Sequence, residues 1–251
     1  MQETIYTLAL YDAFREESEC PLCLIEEKRE EEALDYLLHE ALMDDRTRGE
    51  TNREGFCRCH FELMYRKRAY RLQLALLLDT HLAAENARLK KLAAGVAGRG
   101  RARLASFFSW GRDKKKANPE EPLLQELRYQ EKSCYICRRI HTVMEEHIKV
   151  MFYLWEKERE FATVFAEKKG FCQKHFRQLL ERAAQYLSPR QRQVFITRIT
   201  EKQLANLERI QSEVHRFTEK MSYHNEDLPW DNARDALIRG IKKLAGICRL
   251  E

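Results

Sequence analysis

The sequence predicts an all-α protein: two tandem helical repeats, each stapled by zinc and packed together, followed by a C-terminal helix. Three observations carry this expectation. Only 9 Gly and 5 Pro interrupt 251 residues, of which 34% are charged and 44% hydrophobic. Residues 24–48, 57–94, 123–169 and 190–228 contain neither Gly nor Pro and are dominated by Glu, Lys, Arg, Leu and Ala, all favourable to helix. One pattern of Cys and His occurs twice. The apolar share suffices for a core, and frequent aromatics with a net charge of only +5 exclude a chain disordered throughout. No run of about 18 apolar residues is present, so a membrane-spanning helix is not expected. Met1-Gln2-Glu3-Thr4 lacks the basic region and apolar run of a secretory signal. A cytoplasmic location is therefore expected. In that reducing setting eight Cys point to metal or redox chemistry rather than disulfides.

The elements follow in order. A first helix is expected over residues 4–16, where Ile5, Leu8, Leu10, Tyr11 and Phe14 are partly periodic. Residues 24–48 would form one helix by composition alone. Twenty-five helical residues span roughly 37 Å, and the eight that follow reach back at most about 28 Å. If Cys23 and Cys57 share an ion, the chain must turn earlier, near Leu42-Met43-Asp44-Asp45, as a helical hairpin. An equivalent break is expected at residues 158–163, and Gly55 and Gly170 release the chain into the next helix. Asp44, Asp45 and Glu50 near the hairpin tip offer a cation site, with capping and solvation as the preferred reading. Long helices follow, with Leu72, Leu76, Leu82 and Leu89 as an apolar stripe in the first copy. In the second copy Ser188 caps, Pro189 takes the first helical position, and Leu204, Leu207 and Ile210 mark the stripe. A last helix is expected over residues 232–244, with Asp231 as its cap. The organisation is thus a first repeat (1–94), a basic flexible linker (95–118), a second repeat (119–222) and a tail with a helix (223–251).

The repeated pattern is Cys-x2-Cys followed by Gly-Phe-Cys-x2-His. Cys20, Cys23, Cys57 and His60 form one copy, and Cys134, Cys137, Cys172 and His175 the other. The second pair begins 37 residues after the first in one copy and 38 in the other. Ligands at i and i+3 share one face of a helical turn or knuckle. Three thiolates and an imidazole suit tetrahedral Zn2+, at about 2.3 Å for sulfur and 2.0 Å for nitrogen. Each chain is therefore expected to hold two Zn2+. Four protein ligands leave no position for water, so the sites read as structural. Placement at helix N-termini would oppose the net negative charge with the helix dipole. Ligation within each copy is expected, because the hairpin is short enough to close locally; an exchange of pairs between copies is the alternative. Cys59 and Cys248 have no counterpart ligand, and His39, His81, His141, His147, His215 and His224 do not recur in register. These are expected to be solvated or packed side chains.

At these residues the chain resembles a bacterial family of uncharacterised proteins, known only as a domain of unknown function. The resemblance rests on Glu17-Ser18-Glu19-Cys20-Pro21-Leu22-Cys23, on Asn52-Arg53-Glu54-Gly55-Phe56-Cys57 with His60, on the second copy, and on Tyr223-His224-Asn225-Glu226-Asp227-Leu228-Pro229-Trp230. It implies a helical protein with no assigned activity and supplies no catalytic residues.

Residues 95–118 carry seven basic side chains against Asp113, so the rest of the chain sums to −1. Their Gly95, Gly98, Gly100 and Gly111 suggest mobility. Function is expected to be non-enzymatic: a zinc-stapled interaction module for a protein partner. The sequence has no P-loop, dinucleotide fingerprint, nucleophile elbow or His-Glu-x-x-His. The alternatives are nucleic-acid binding through Arg99, Arg101, Arg103, Trp110, Lys114, Lys115 and Lys116, where charge and aromatic groups interleave, and a zinc-thiolate redox switch. Binding of that linker to an anionic membrane surface ranks below nucleic acid. Composition does not indicate the oligomeric state.

Overall fold

A computed structural model describes residues 5–105, 118, 120–222 and 229–250. Among these the protein is all helical. In chain order the helices are α1 (Ile5–Arg15), α2 (Pro21–His39), α3 (Asp45–Glu54), α4 (Arg58–Arg66), α5 (Arg71–Ala105), α6 (Glu121–Lys132), α7 (Tyr135–Lys157), α8 (Arg159–Glu167), α9 (Gln173–Tyr186), α10 (Pro189–Lys220) and α11 (Ala236–Ala245). Short 3-10 turns occupy Arg68–Tyr70 and Asp231–Ala233.

The breaks fall where local chemistry places them. The hairpin after α2 turns at Asp44, whose carboxylate accepts from the Thr47 N–H at 2.7 Å and starts α3. Glu50 pairs with Arg138 at 2.7 Å and Arg46 at 3.2 Å, so the acidic hairpin tip is accounted for by capping and pairing. In the second copy Glu158 separates α7 from α8. Ser188 and Gln191 form a reciprocal capping box at the start of α10, with Pro189 at the first position.

Several expected details differ. Helix α5 continues to Ala105 through Gly95, Gly98 and Gly100, where a flexible linker is expected. Each glycine costs about 1 kcal/mol, and Ala97 and Arg99 between them, with Arg101, Ala102, Arg103 and Leu104 after them, are good helix formers. On α5, which follows the turn at Arg68–Tyr70, Leu74 and Leu77 are buried while Leu72, Leu76 and Leu82 of the expected stripe are exposed. On α10 the buried stripe is Phe195, Ile199, Gln203 and Ile210, and Leu204 is exposed. Gln203 takes the inward place because its side-chain oxygen accepts from the Phe171 N–H at 3.1 Å. The last helix begins at Ala236 behind Asp235, not at Asn232 behind Asp231. Arg239 draws Asp235 to 2.9 Å and also bonds the Asn232 carbonyl.

Packing divides the chain differently from the order of the copies. One unit comprises Met1–Arg29 with Thr142–Glu251, and the other comprises Glu30–His141. Both passages between units lie inside helices, α2 and α7. In the first unit an aromatic core joins Phe14, Phe161, Phe165, Phe171 and Phe195, with ring centroids 5.1–6.4 Å apart. In the second, Phe56 packs with Phe61 and Tyr135, and Leu34, Leu37, Leu38, Met64, Leu74 and Leu77 are buried. Phe56 and Phe171 each precede a ligand-type cysteine, so each Gly-Phe-Cys knuckle is anchored in its own core.

Candidate metal centres

All four Cys/His pairs sit at helix N-termini. Cys20 precedes α2 and Cys23 lies in its first turn; Cys134 and Cys137 are placed likewise on α7. Cys57 and Cys172 are the N-caps of α4 and α9, and His60 and His175 follow three residues later. The Cys172 sulfur accepts from the His175 N–H and the Cys134 sulfur from the Cys137 N–H, both at 3.5 Å. The positive ends of these helices therefore lie at the sulfurs, with direct N–H donation at Cys134 and Cys172. Gly55 and Gly170 turn the chain into these knuckles at φ +61° and +99°, a region that disfavours side chains. A Cβ on Gly170 would also lie 3.0 Å from Gln203 Oε1.

The eight residues form two clusters, but the pairs are exchanged between copies. Cys20 and Cys23 meet Cys172 and His175 in the first unit; Cys57 and His60 meet Cys134 and Cys137 in the second. This corrects the expectation of ligation within each copy, in which Cys20 and Cys23 share an ion with Cys57 and His60. The physical reason is the lopsided hairpin. Helix α2 has 19 residues and the returning α3 only 10; α7 has 23 and α8 only 9. At about 1.5 Å per residue the return does not bring the second pair back to the first.

Each cluster has the dimensions of a metal tetrahedron. His175 Nδ1 lies 3.4 Å from Cys20 Sγ, 3.4 Å from Cys23 Sγ and 3.3 Å from Cys172 Sγ, and Cys23 Sγ lies 3.5 Å from Cys172 Sγ. His60 Nδ1 lies 3.1 Å from Cys57 Sγ, 3.3 Å from Cys134 Sγ and 3.4 Å from Cys137 Sγ, and Cys57 Sγ lies 3.8 Å from Cys137 Sγ. A tetrahedral zinc ion requires S···S edges of about 3.8 Å and S···N edges of about 3.5 Å. All eight cysteines are free thiols. Cys59 and Cys248 stand outside both clusters, as do His39, His81, His141, His147 and His215. His147, for example, bonds the Val143 carbonyl at 2.8 Å and packs edge-on against Tyr6.

The far nitrogen of each imidazole faces a carboxylate that sequence reasoning missed. His175 Nε2 lies 3.3 Å from Glu26 and His60 Nε2 lies 3.2 Å from Glu30. Such partners orient the ring and present Nδ1 to a metal. Glu26 follows Cys23 by three residues, one helical turn, and that spacing was the available signal; Glu30 follows one turn later. Burial acts to raise the Glu26 pKa, but hydrogen bonds to His175 and Lys174 prevail and lower it.

Sharing protons alone, the four donors of a cluster conflict. Cys134 is held down at about 3, first by its hydrogen bond to Cys137 and, against burial, by His60. Burial opposes charge on His60, but bonds to Cys134 and Glu30 raise it to about 10. Cys137 is pushed far up by its bond to Cys134, by burial and by the charges of Cys134 and Cys57. In the first cluster Cys172 is lowered by bonds to Cys20 and Cys23, while Cys23 is raised by Cys172 and Cys20. In each cluster, therefore, one sulfur is favoured as the thiolate and another is held as the thiol. A divalent cation lets all three sulfurs ionise together.

The residues assigned to nucleic-acid binding are described only in part. Arg99, Arg101 and Arg103 fall on α5, while Trp110, Lys114, Lys115 and Lys116 lie outside the described residues. Among the described residues no helix is long and apolar enough to cross a membrane.

Fold and site together define an all-helical protein with two interleaved Cys3His clusters suited to metal coordination. The model of a family of unknown function, DUF6062, matches residues 1–251, and the chain belongs to that family. No curated protein and no solved structure matches it.

Proposed function

We propose that this chain is a non-enzymatic zinc protein whose two Cys3His centres fix helix geometry for a protein partner. The observation that carries the reading is closure: each cluster brings four protein donors within 4.8 Å of one another, leaving no position for a substrate or an activated water. The donor set of three thiolates and one imidazole selects Zn2+ over hard cations, which prefer oxygen. Each ion joins segments about 150 or 80 residues apart in the chain, so its contribution is to folding. Exposed Leu237, Ile238, Ile241 and Leu244 on α11 offer apolar surface to a partner. Elemental analysis of protein purified under reducing conditions tests this reading. Two zinc per chain is the expected result, and iron at comparable stoichiometry would redirect the assignment to electron transfer.

A further inference from the structure

Each centre must hold together two chain segments distant in sequence. In the second centre the segments bond to each other directly. The Tyr135 N–H donates to the Gly55 carbonyl at 3.0 Å, and the Ser133 hydroxyl donates to the Glu54 carbonyl at 2.6 Å. The first centre lacks both donors. Pro21 stands where Tyr135 does and has no N–H. Glu19 stands where Ser133 does, and its carboxylate is taken by Arg209 at 2.6 and 2.7 Å.

The carbonyl equivalent to that of Glu54 is Lys169 O, since each precedes the knuckle glycine. It receives its hydrogen bond from Lys243 Nζ at 3.0 Å. The same ammonium donates to Glu19 O at 3.1 Å. One group therefore bonds the residue before Cys20 and the loop before Cys172. Lys243 is fully buried on the last turn of α11, and α11 packs on α9 and α10. Directly after it Gly246, at φ +84°, lays the chain so close that a Cβ there would be 3.6 Å from Cys172 Sγ. A buried ammonium is costly unless bonded and compensated. Here two carbonyls bond it, Glu19 lies at 3.9 Å, and a Cys3His zinc centre would add a net negative charge.

We infer that Lys243 is the positioning residue that closes the first centre, making α11 a latch on metal retention there and not at the second centre. The inference rests on the metal-binding reading above. It is tested on zinc-loaded, full-length protein challenged with a chromophoric chelator. In Lys243→Met one zinc equivalent should leave at least about tenfold faster, the other at the wild-type rate, in line with outer-layer metal partners elsewhere. Placing Lys243→Met in a Cys57→Ser background, which retains only the first centre, should accelerate the remaining equivalent. Lys243→Gln, which keeps a donor without the charge, should fall between. Unchanged release of both equivalents, or equal acceleration of both, would overturn the inference. If Lys243→Met does not fold, Ser133→Ala is the independent test. The hydroxyl-for-ammonium correspondence requires faster loss from the second centre alone, and unchanged release there overturns it. A wild type without two zinc equivalents defeats the metal reading instead.

Discussion

The two centres share a donor set, a glycine-phenylalanine knuckle and a carboxylate behind the imidazole, yet they are enclosed differently. In the first, Cys20, Cys172 and His175 are buried and only Cys23 is partly accessible. A cavity of about 760 Å³ reaches Cys20 and Cys23, walled by α11 and the residues after it, including Cys248. In the second, Cys137 is exposed and Cys57 partly so, and the two knuckles are tied by their own backbone and Ser133. Among the differences between the copies, Pro21 against Tyr135 and Glu19 against Ser133 remove the two donors that tie the second centre. A motif can thus repeat its donors faithfully while the closure around them is rebuilt from another part of the chain.

The comparison is broken most severely by removing metal from both centres. Chelation under reducing conditions should abolish cooperative unfolding and much of the helical circular dichroism, since structural zinc contributes on the order of 10 kcal/mol. Retention of the full helical signal and melting point would refute a structural role. Next come paired ligand variants. Cys20→Ser with Cys172→Ser should cost one zinc, because both strike the same centre, whereas Cys20→Ser with Cys57→Ser should cost both. The opposite stoichiometries would restore ligation within copies. Glu26→Gln and Glu30→Gln should each weaken a single centre by about 10–100-fold, measured by competition with a calibrated chelator.

The smallest effect concerns acid and sharpens the difference in enclosure. Bound ligands are deprotonated, so affinity falls as pH falls, for both centres with the same sign. The exposed Cys137 should let the second centre release at the higher pH, by about half a unit. Cobalt-substituted single-centre variants would report the two midpoints, and identical values would remove burial as the cause. Without metal the sign differs by group. Cys134, held at about 3, contributes stability above its unfolded value that is lost as pH falls through 3. His60, raised to about 10, contributes below its unfolded value and loses that contribution as pH rises through 10.

Most of the local structure was legible in residue order. Ser188 marks a helix start because capping is a short-range effect, whereas the breaks near Asp44 and Glu158 are expected from the reach of a shared ion, a premise that the exchanged pairs remove. Gly55 and Gly170 announced the knuckles because positive φ tolerates few other residues. On α5 the buried leucines are not those of the expected stripe, and on α10 Ile210 is buried as expected while Leu204 is exposed and Gln203 takes an inward place. Glu26 was within reach of a helical-spacing argument from Cys23. Lys243 was not: a lysine in the last turn of any helix suits the helix dipole, and only its carbonyl partners distinguish this one.

The sequence by itself determined the helical class, the eight donors and their grouping into pairs. Each of these depends on neighbours within a few residues, where propensity, capping and i, i+3 geometry operate. The tertiary structure alone decided which pair meets which, and what seals each centre. Those outcomes depend on the unequal lengths of outgoing and returning helices and on a lysine more than 200 residues from the carbonyl of Glu19 it secures. Contacts of that range leave no periodic trace in the chain.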